Sequence, residues 1–546
     1  MPSEPRKAYD YIIIGAGSAG CVLAARLTED KDCRVLLLEA GGKDDHLYIK
    51  MPIGFLKAFL NPKLGWGYVS EPEPHLNNRR LMLPRGKVLG GSSSINGMFY
   101  MRGHPRDFDT WRQMGNEGWG YADVLPYFKR METSWRGEGK YHGGSGPLHV
   151  SPIDPRRLLH EPLMATAAEA GYRTSDDIHG EQPEGFALGE VTIDPKGRRA
   201  SASRAYLHPA MRRPNLHVEI EALTTRVLIE KGRACGVEFS KDGQLHQVHA
   251  EREVILSGGT FNSPQLLMLS GIGPADQLRE HGISPVVDLP GVGKNLSEHP
   301  NVMLQFAATS PVTFLRELRF DRAALSAIQW SLFGKGPFAT QINSCNIVIR
   351  TAPELEQPDV QLMCNPVRMD AALWFPGLTK TLDHHFSVHV VNLHPLSRGE
   401  VTLRSASPLD PPRIQLNVMS SPLEFDTMRR GIREARRIYR TGAQARLTGE
   451  ETSPGADVTS DEALDAFIRR SCSVTQHPVG TCKMGHDDMA VVDPLLKVHG
   501  VEGLRVADAS IMPTVPGANT NASAIMIGEK ASDLVRGLRL PAEEGV

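Results

Sequence analysis

The sequence predicts an α/β chain, α+β overall, with two lobes. One is a discontinuous lobe on a parallel sheet, and the other is a second lobe in the middle of the chain. Three observations carry this reading. The β-branched run Tyr11 to Ile14 leads into a glycine-spaced turn and an Ala/Leu-rich helix. A second strand, "RVLLLEAGG", ends in an acid, Glu39. Near the far end, "GLRVADASIMPTVPGANTNASAIMIGEKASDLVRGL" gives another strand, a Pro/Gly loop and a last helix, so the chain returns to its first lobe. A length of 546 residues fits more than one core.

The first element is the most specific. Gly15 permits a tight turn, Gly17 lets backbone approach a pyrophosphate, and Gly20 lets helix and strand pack closely. Ser18 and Ala19 open the helix, whose free N–H groups and partial positive charge suit phosphate. Glu39 stands 19 residues beyond Gly20, where a carboxylate accepts from both ribose hydroxyls, and Ala40 follows it. A structural Gly-rich turn explains the glycines but not the acid. This element does not separate FAD from NAD.

Composition sets the bounds. Lys+Arg is 61 and Asp+Glu 63, a formal balance of −2, so no cationic excess is available for a nucleic-acid backbone. Seven scattered cysteines without a CxxC argue against zinc or iron–sulfur frameworks and for a reduced, cytoplasmic setting. The first ten residues, "MPSEPRKAYD", lack a signal-peptide core, and no apolar run is long enough to span a bilayer. Peripheral membrane contact stays open, and oligomeric state is not legible.

Along the chain, residues 105–130 predict mixed helix and loop. From about 215 to 258 strand follows strand, separated by the turns Lys231-Gly232 and Asp242-Gly243. "GTFNSPQLLMLSGIGP" predicts a helix with Asn262 or Ser263 as N-cap, Pro264 at its first position and Gly271 closing it. "HFSVHVVNLHP" and "EVTLRSA" predict strands, and "SPLEFDTMRRGIREARRIYRTG" an amphipathic helix. The expected division is 1–160, 200–310 and 490–546 for the dinucleotide lobe, and 161–199 and 311–489 for the substrate lobe.

Four longer stretches, "RGKVLGGSSSINGMFYMRG", "GTFNSPQLLMLSGIGP", "HPVGTCKMG" and "DASIMPTVPGANTNASAIMIGEKASDL", stand in the order and spacing of one family. Over residues 10–538 the chain resembles the glucose–methanol–choline flavoprotein oxidoreductases, in particular the bacterial choline dehydrogenase and aliphatic alcohol dehydrogenase branch. The resemblance implies bound FAD, a Rossmann-like FAD lobe in several segments, a substrate lobe built on an antiparallel sheet, and oxidation of an alcohol. It places Gly91 and Ser92 against the flavin and pyrophosphate, Asn96, Gly97 and Met98 beside the isoalloxazine, and Val227 at the adenine. Asp508 and Ala509 fall near the ribityl-pyrophosphate, Thr520 at the start of a helix whose N-terminus faces the flavin N1 and C2 carbonyl, and Trp66 near the flavin.

The same resemblance assigns His477 of "HPVGT" and Asn519 of "PGANTNAS" to the flavin N5 edge. A neutral imidazole there takes the hydroxyl proton while hydride leaves the carbon, and Asn519 holds the oxygen. A metal at His477 and Cys482 lacks a third ligand nearby. FAD is expected to be non-covalent, because relatives that tether flavin use a histidine where this chain has Ile95. Choline-type enzymes carry a glutamate in a segment resembling "GKGPFATQINSCNIVIR", and Ser344 falls there, so a neutral primary alcohol is the expected substrate. The electron acceptor is a quinone or oxygen. Choline dehydrogenase or oxidase and FAD-dependent hydroxynitrile lyase are the alternatives, and the first motif alone also allows an NAD-linked dehydrogenase.

Overall fold

A computed structural model describes residues 8–379 and 383–546. Residues 1–7 of the polar stretch "MPSEPRKAYD" lie outside them. In chain order the elements used here begin with β1 (Ala8–Ile14), α1 (Ser18–Leu27) and β2 (Val35–Leu38). Then come β3 (Leu216–Glu219), β4 (Leu223–Glu230), β5 (Arg233–Lys241), β6 (Gln244–Leu256) and α2 (Gly259–Leu269). Next are β7 (Pro300–Ala308), α3 (Phe320–Phe333), β8 (Cys345–Ile349), β9 (Val360–Asn365), β10 (His385–Asn392) and α4 (Pro422–Tyr439). The order ends with β11 (Thr448–Ser453), β12 (Leu504–Val506) and α5 (Asn521–Val535).

The first sheet runs β3-β2-β1-β6-β5-β4, with β12 on β6. Its β1, β2, β3, β6 and β12 pairings are parallel, and β4, β5 and β6 form an antiparallel meander. Ile12, Ile13, Val35 and Leu37 are wholly buried, as a strand covered on both faces requires. Both meander turns have positive φ at each central residue, 49° and 80° at Lys231-Gly232 and 52° and 75° at Asp242-Gly243, which suits the twist of tight hairpins.

The second sheet runs β11-β7-β10-β9-β8 and continues onto the short strands Gly185–Ala187 and Thr174–Ser175. One face, with Val302, Leu304, Ile347, Leu362, Val388 and Val390, forms a core with Met428, Ile432 and Ala435 of α4. The other face carries Asn301, Met363 and His389. β7 belongs to this sheet, so the division expected at 310 falls before Pro300 instead. The stretch around Val479, Cys482 and Met484, expected in the substrate lobe, is buried in the core of the first sheet.

The helix over "GTFNSPQLLML" starts earlier than expected. It begins at Gly259 and holds Pro264 in its interior. Proline removes an i→i−4 donor, here the one that would serve the Thr260 carbonyl. The Thr481 hydroxyl donates to that carbonyl at 2.6 Å and replaces the lost bond. Gly271 follows the helix with φ 82°, as expected.

Candidate active site

A cavity of about 700 Å³ opens between the two sheets. Its first wall is the β1–α1 turn. A Cβ on Gly15 would lie 2.5 Å from the Ser257 carbonyl oxygen, and one on Gly20 would lie 1.9 Å from the Gly15 oxygen, so neither position admits a side chain. Gly20 therefore fixes the turn from behind, while Gly15, Gly17, Ser18 and Ala19 line the space. Gly91 approaches the same turn, where a Cβ would stand 2.8 Å from Gly17 Cα.

Glu39 is 5% exposed and lines the cavity beside Ala40. Its Oε2 accepts from the Ala16 amide at 2.9 Å and its Oε1 from the Gly41 amide at 2.8 Å. Each oxygen keeps a further lone pair, as a diol acceptor needs. Burial pushes this carboxyl up to about 7, against the two amides, which lower it. The cradle of glycines, a free helix N-terminus and a held carboxylate fit an FAD-sized dinucleotide.

Ser92, Asn96, Gly97 and Met98 form the next wall, with Trp66 opposite. The buried Arg199 guanidinium donates to Asn96 Oδ1 at 2.8 Å, and Asn96 Oδ1 accepts from the Met98 amide at 3.0 Å, which pins this bend. Met98 has φ 62°. Trp66 stacks on Tyr68, with Lys87 Nζ 4.6 Å from its ring centroid. Asp508 lines the floor with Ala509 and Thr520, and accepts from the Gly259 amide at 2.9 Å and the Ser263 hydroxyl at 2.6 Å.

Two expected contacts fall elsewhere. Val227 does not line the cavity. It is buried in the first core, and its amide donates to Ser270 Oγ at 2.8 Å. The strand meets the cavity three residues earlier, at Ala222, Leu223 and Thr224, because the Ala222 amide donates to the Glu39 carbonyl at 2.9 Å. Ser344 is also absent from the lining. It precedes β8, its amide donates to Cys364 and its carbonyl accepts from His160. The wall from the second sheet is instead Asn301, Met363 and His389, with His389 Nδ1 3.1 Å from Asn301 Oδ1.

His477 and Asn519, from loops 42 residues apart, meet in this cavity with His477 Nε2 3.1 Å from Asn519 Nδ2. Both are about nine-tenths buried. Among the described residues Asn519 Oδ1 has no hydrogen-bond partner. Behind them stands a residue the sequence did not single out, His299. Its Nε2 lies 3.0 Å from the Leu393 carbonyl, which only accepts, so Nε2 bears the proton and Nδ1 the lone pair. That Nδ1 faces His477 Nδ1 at 3.1 Å. Thr475 Oγ1 stands 2.8 Å from the same His477 atom and directs its own proton at the His299 carbonyl, 3.4 Å away. Two acceptors therefore hold the His477 proton on Nδ1 and leave the Nε2 lone pair toward Asn519 and the cavity.

The electrostatics agree. Burial, then the neighbouring His299 and Arg85, holds His477 well below the ordinary histidine range. Burial likewise pushes His299 down to about 3. Glu298 closes the group, since its Oε1 accepts from the His477 amide at 2.7 Å and the His299 amide at 2.9 Å. Burial pushes Glu298 up to about 8, partly offset by the Arg85 charge. "SEHPN" gave no warning of this, because His-Pro recurs at His104-Pro105 and His208-Pro209 without such a role.

Among known proteins, the family model described as GMC oxidoreductase matches residues 9–301, and its C-terminal counterpart matches 395–528. The chain is 47% identical over 531 residues to an oxygen-dependent choline dehydrogenase of Sinorhizobium fredii, covering 97% of this chain and 95% of that protein. It is 44% identical to the mitochondrial choline dehydrogenase of Mus musculus, over 98% of this chain and 91% of that one. Among solved structures, pyridoxine 4-oxidase from Mesorbium loti superposes with a TM-score of 0.86 at 30% identity, over 96% of this chain and 98% of that one. Formate oxidase from Aspergillus oryzae superposes with a TM-score of 0.91 at 29% identity, over 98% and 99%.

Proposed function

The chain belongs to the GMC oxidoreductase family and is an FAD-dependent oxidoreductase, and from that premise we propose that it oxidises a neutral primary alcohol to the aldehyde, with His477 as general base. One observation carries the assignment: the His477 proton is held on Nδ1 by two acceptors, and its bare Nε2 meets Asn519 Nδ2 at 3.1 Å in the cavity.

FAD held by the β1–α1 turn, Glu39 and the Ser92–Met98 wall would supply the hydride acceptor for the carbinol carbon. His477 Nε2 takes the hydroxyl proton, and the C=O bond forms from the O–H electron pair. Asn519 Nδ2 donates to the substrate oxygen and keeps it in line with Nε2, in place of its present bond to the imidazole. Its free Oδ1 adds an acceptor on the same side. His299 and Thr475 keep the base in the working tautomer and accept the Nδ1–H more strongly once the ring is charged. The N-terminus of α5, with Thr520 at the N-cap position and no side-chain cap on its amides, faces this end of the cavity with a partial positive charge that favours the developing negative charge.

The substrate reading departs from the printed names of the curated relatives. The carboxylates lining the cavity are Glu39, Asp410 and Asp508. Glu39 and Asp508 serve the dinucleotide end, and Asp410 sits with Pro408 and Pro411. The wall beside His477 presents Asn301, Met363 and His389, with burial holding His389 down to about 4 and therefore neutral. Lys87 and Arg85 add cations to the lining. A quaternary ammonium here would lose water without gaining a counter-charge. A neutral alcohol meets apolar surface and two hydrogen-bonding side chains. We infer a dehydrogenase that passes electrons to a quinone-type acceptor, with oxygen as the second acceptor.

The test compares kcat/KM for choline, benzyl alcohol and a medium-chain 1-alkanol under one electron acceptor. The neutral alcohols should lead. Choline ahead by tenfold or more would overturn the substrate reading and leave the base assignment standing. A lyase would convert a cyanohydrin without anaerobic bleaching of the flavin by any alcohol.

A further inference from the structure

The helix α3 is amphipathic the wrong way round. Its buried residues are the small Ala323 and Ser326, whereas Leu325, Ile328, Leu332 and Phe333 are 67%, 55%, 69% and 68% exposed. Leu325, Ile328 and Leu332 stand at i, i+3 and i+7, which is one stripe. The adjoining loop extends it with Leu373 at 55% and Leu378 at 85%. The helix is firmly seated all the same. The Phe320 ring stacks on Phe375 at 4.4 Å, its amide donates to the Trp374 carbonyl, and Trp330 Nε1 donates to the Gly197 carbonyl at 2.7 Å. So the apolar stripe is presented by a fixed element, and patches of this kind mark interaction sites.

Charge selects the occupant. Lys335 follows the helix, and Lys196 and Arg198 flank Gly197 at the same end, all three exposed. Among the described residues none of the three forms an ion pair. At the other end Arg316, Arg319 and Arg322 stand against only Glu317 and Asp321. Apolar side chains in one stripe with unpaired cations at its rim are the requirement for lying in the surface of an anionic bilayer. The loop also connects the patch to the site, because Met369 lines the cavity four residues before Leu373.

We propose that α3 and the Leu373–Leu378 loop are a bilayer-docking face that lays this helix flat in an anionic lipid surface, beside the cavity wall. The placement gives a membrane-dissolved alcohol or quinone a short path to the site, although the docking itself does not depend on the catalytic reading.

The holoenzyme is sedimented with vesicles of phosphatidylcholine alone and of phosphatidylcholine with 30% phosphatidylglycerol. Wild type should bind the anionic vesicles at least tenfold better than the neutral ones. Leu325→Glu/Leu332→Glu, at positions about two-thirds exposed, should lose at least tenfold of that binding while keeping flavin content and turnover with a water-soluble dye acceptor. Lys196→Gln/Lys335→Gln should lose binding to anionic vesicles only. Failure of wild type to bind either vesicle, or unchanged binding by the Leu double variant, would overturn the proposal. Light scattering that finds a wild-type dimer and a monomeric Leu double variant, without vesicle binding, would assign the face to a second copy of the chain instead.

Discussion

Glu298→Gln tests the electrostatic arrangement behind the base. The side chain is 2% exposed, Oε1 accepts two amides, and Oε2 has no partner. Glutamine keeps the accepting oxygen and the shape. Burial raises this carboxyl from 4.5 to about 8 in the folded protein. A folded value above the unfolded one means the folded state holds the proton longer. Stability from the protonated group is therefore complete below about pH 4.5 and is lost as pH rises through about 8. The span between the two values corresponds to a ceiling of about 5 kcal/mol, at 1.36 kcal/mol per pH unit. For a chain of this length that is about 4 °C in Tm. Glutamine cannot ionise, so the variant should match wild type near pH 5 and exceed it by up to that amount at pH 9. Catalysis should move oppositely. An ionised Glu298, whose carboxylate holds the His477 amide, favours imidazolium and so strengthens the base. Wild-type kcat/KM should thus rise through about pH 8, and the variant should lack that rise. The assays are thermal unfolding and kcat/KM of the holoenzymes from pH 5 to 9. A Tm difference that stays constant across the range would refute the reasoning.

His477→Ala should retain FAD and fold while losing about 10²–10⁴-fold in the reductive half-reaction; stopped-flow reduction within threefold of wild type would exclude it as the base. Asn519→Ala should slow the same step without loss of flavin, measured by the absorbance of the purified protein. Acid precipitation should leave the flavin colour in the supernatant, because Ile95 lines the cavity with a side chain that cannot form a tether; colour in the pellet would contradict non-covalent binding.

Local chemistry made much of this site legible. The glycine turn and Glu39 announce themselves because only glycine survives contacts below 3 Å and because a strand-end carboxylate has few other uses. The strand expected at the adenine meets the cavity three residues before Val227. Every strand residue offers the same backbone amide and carbonyl, and only the tertiary bond from Ala222 to Glu39 decides which of them meet the cavity. Pro264 looked like a helix start because sequence shows the missing donor but not the distant Thr481 hydroxyl that replaces it. Ser344 was placed by segment likeness, which fixes the strand but not which of its residues reach the opening. His299 was invisible for a further reason, since its role exists only in a contact with His477, 178 residues away.

The last helix has a consequence for how the protein is made. α5 lies on α1, with Ser18 Oγ donating to Asn521 Oδ1 at 2.8 Å, Arg26 paired with Glu529, and Gly528 so close that a Cβ would stand 2.8 Å from the Ala19 oxygen. The cradle begun by the first forty residues is thus roofed by residues synthesised some five hundred positions later. On a ribosome, the early strand and helix must wait, exposed and without their cover, until the final segment emerges. Cofactor capture should therefore follow the emergence of α5. Nascent chains arrested short of Asn519 should hold no flavin, and release of the finished chain should be followed by uptake; flavin retained on the arrested chain would show that the roof is dispensable.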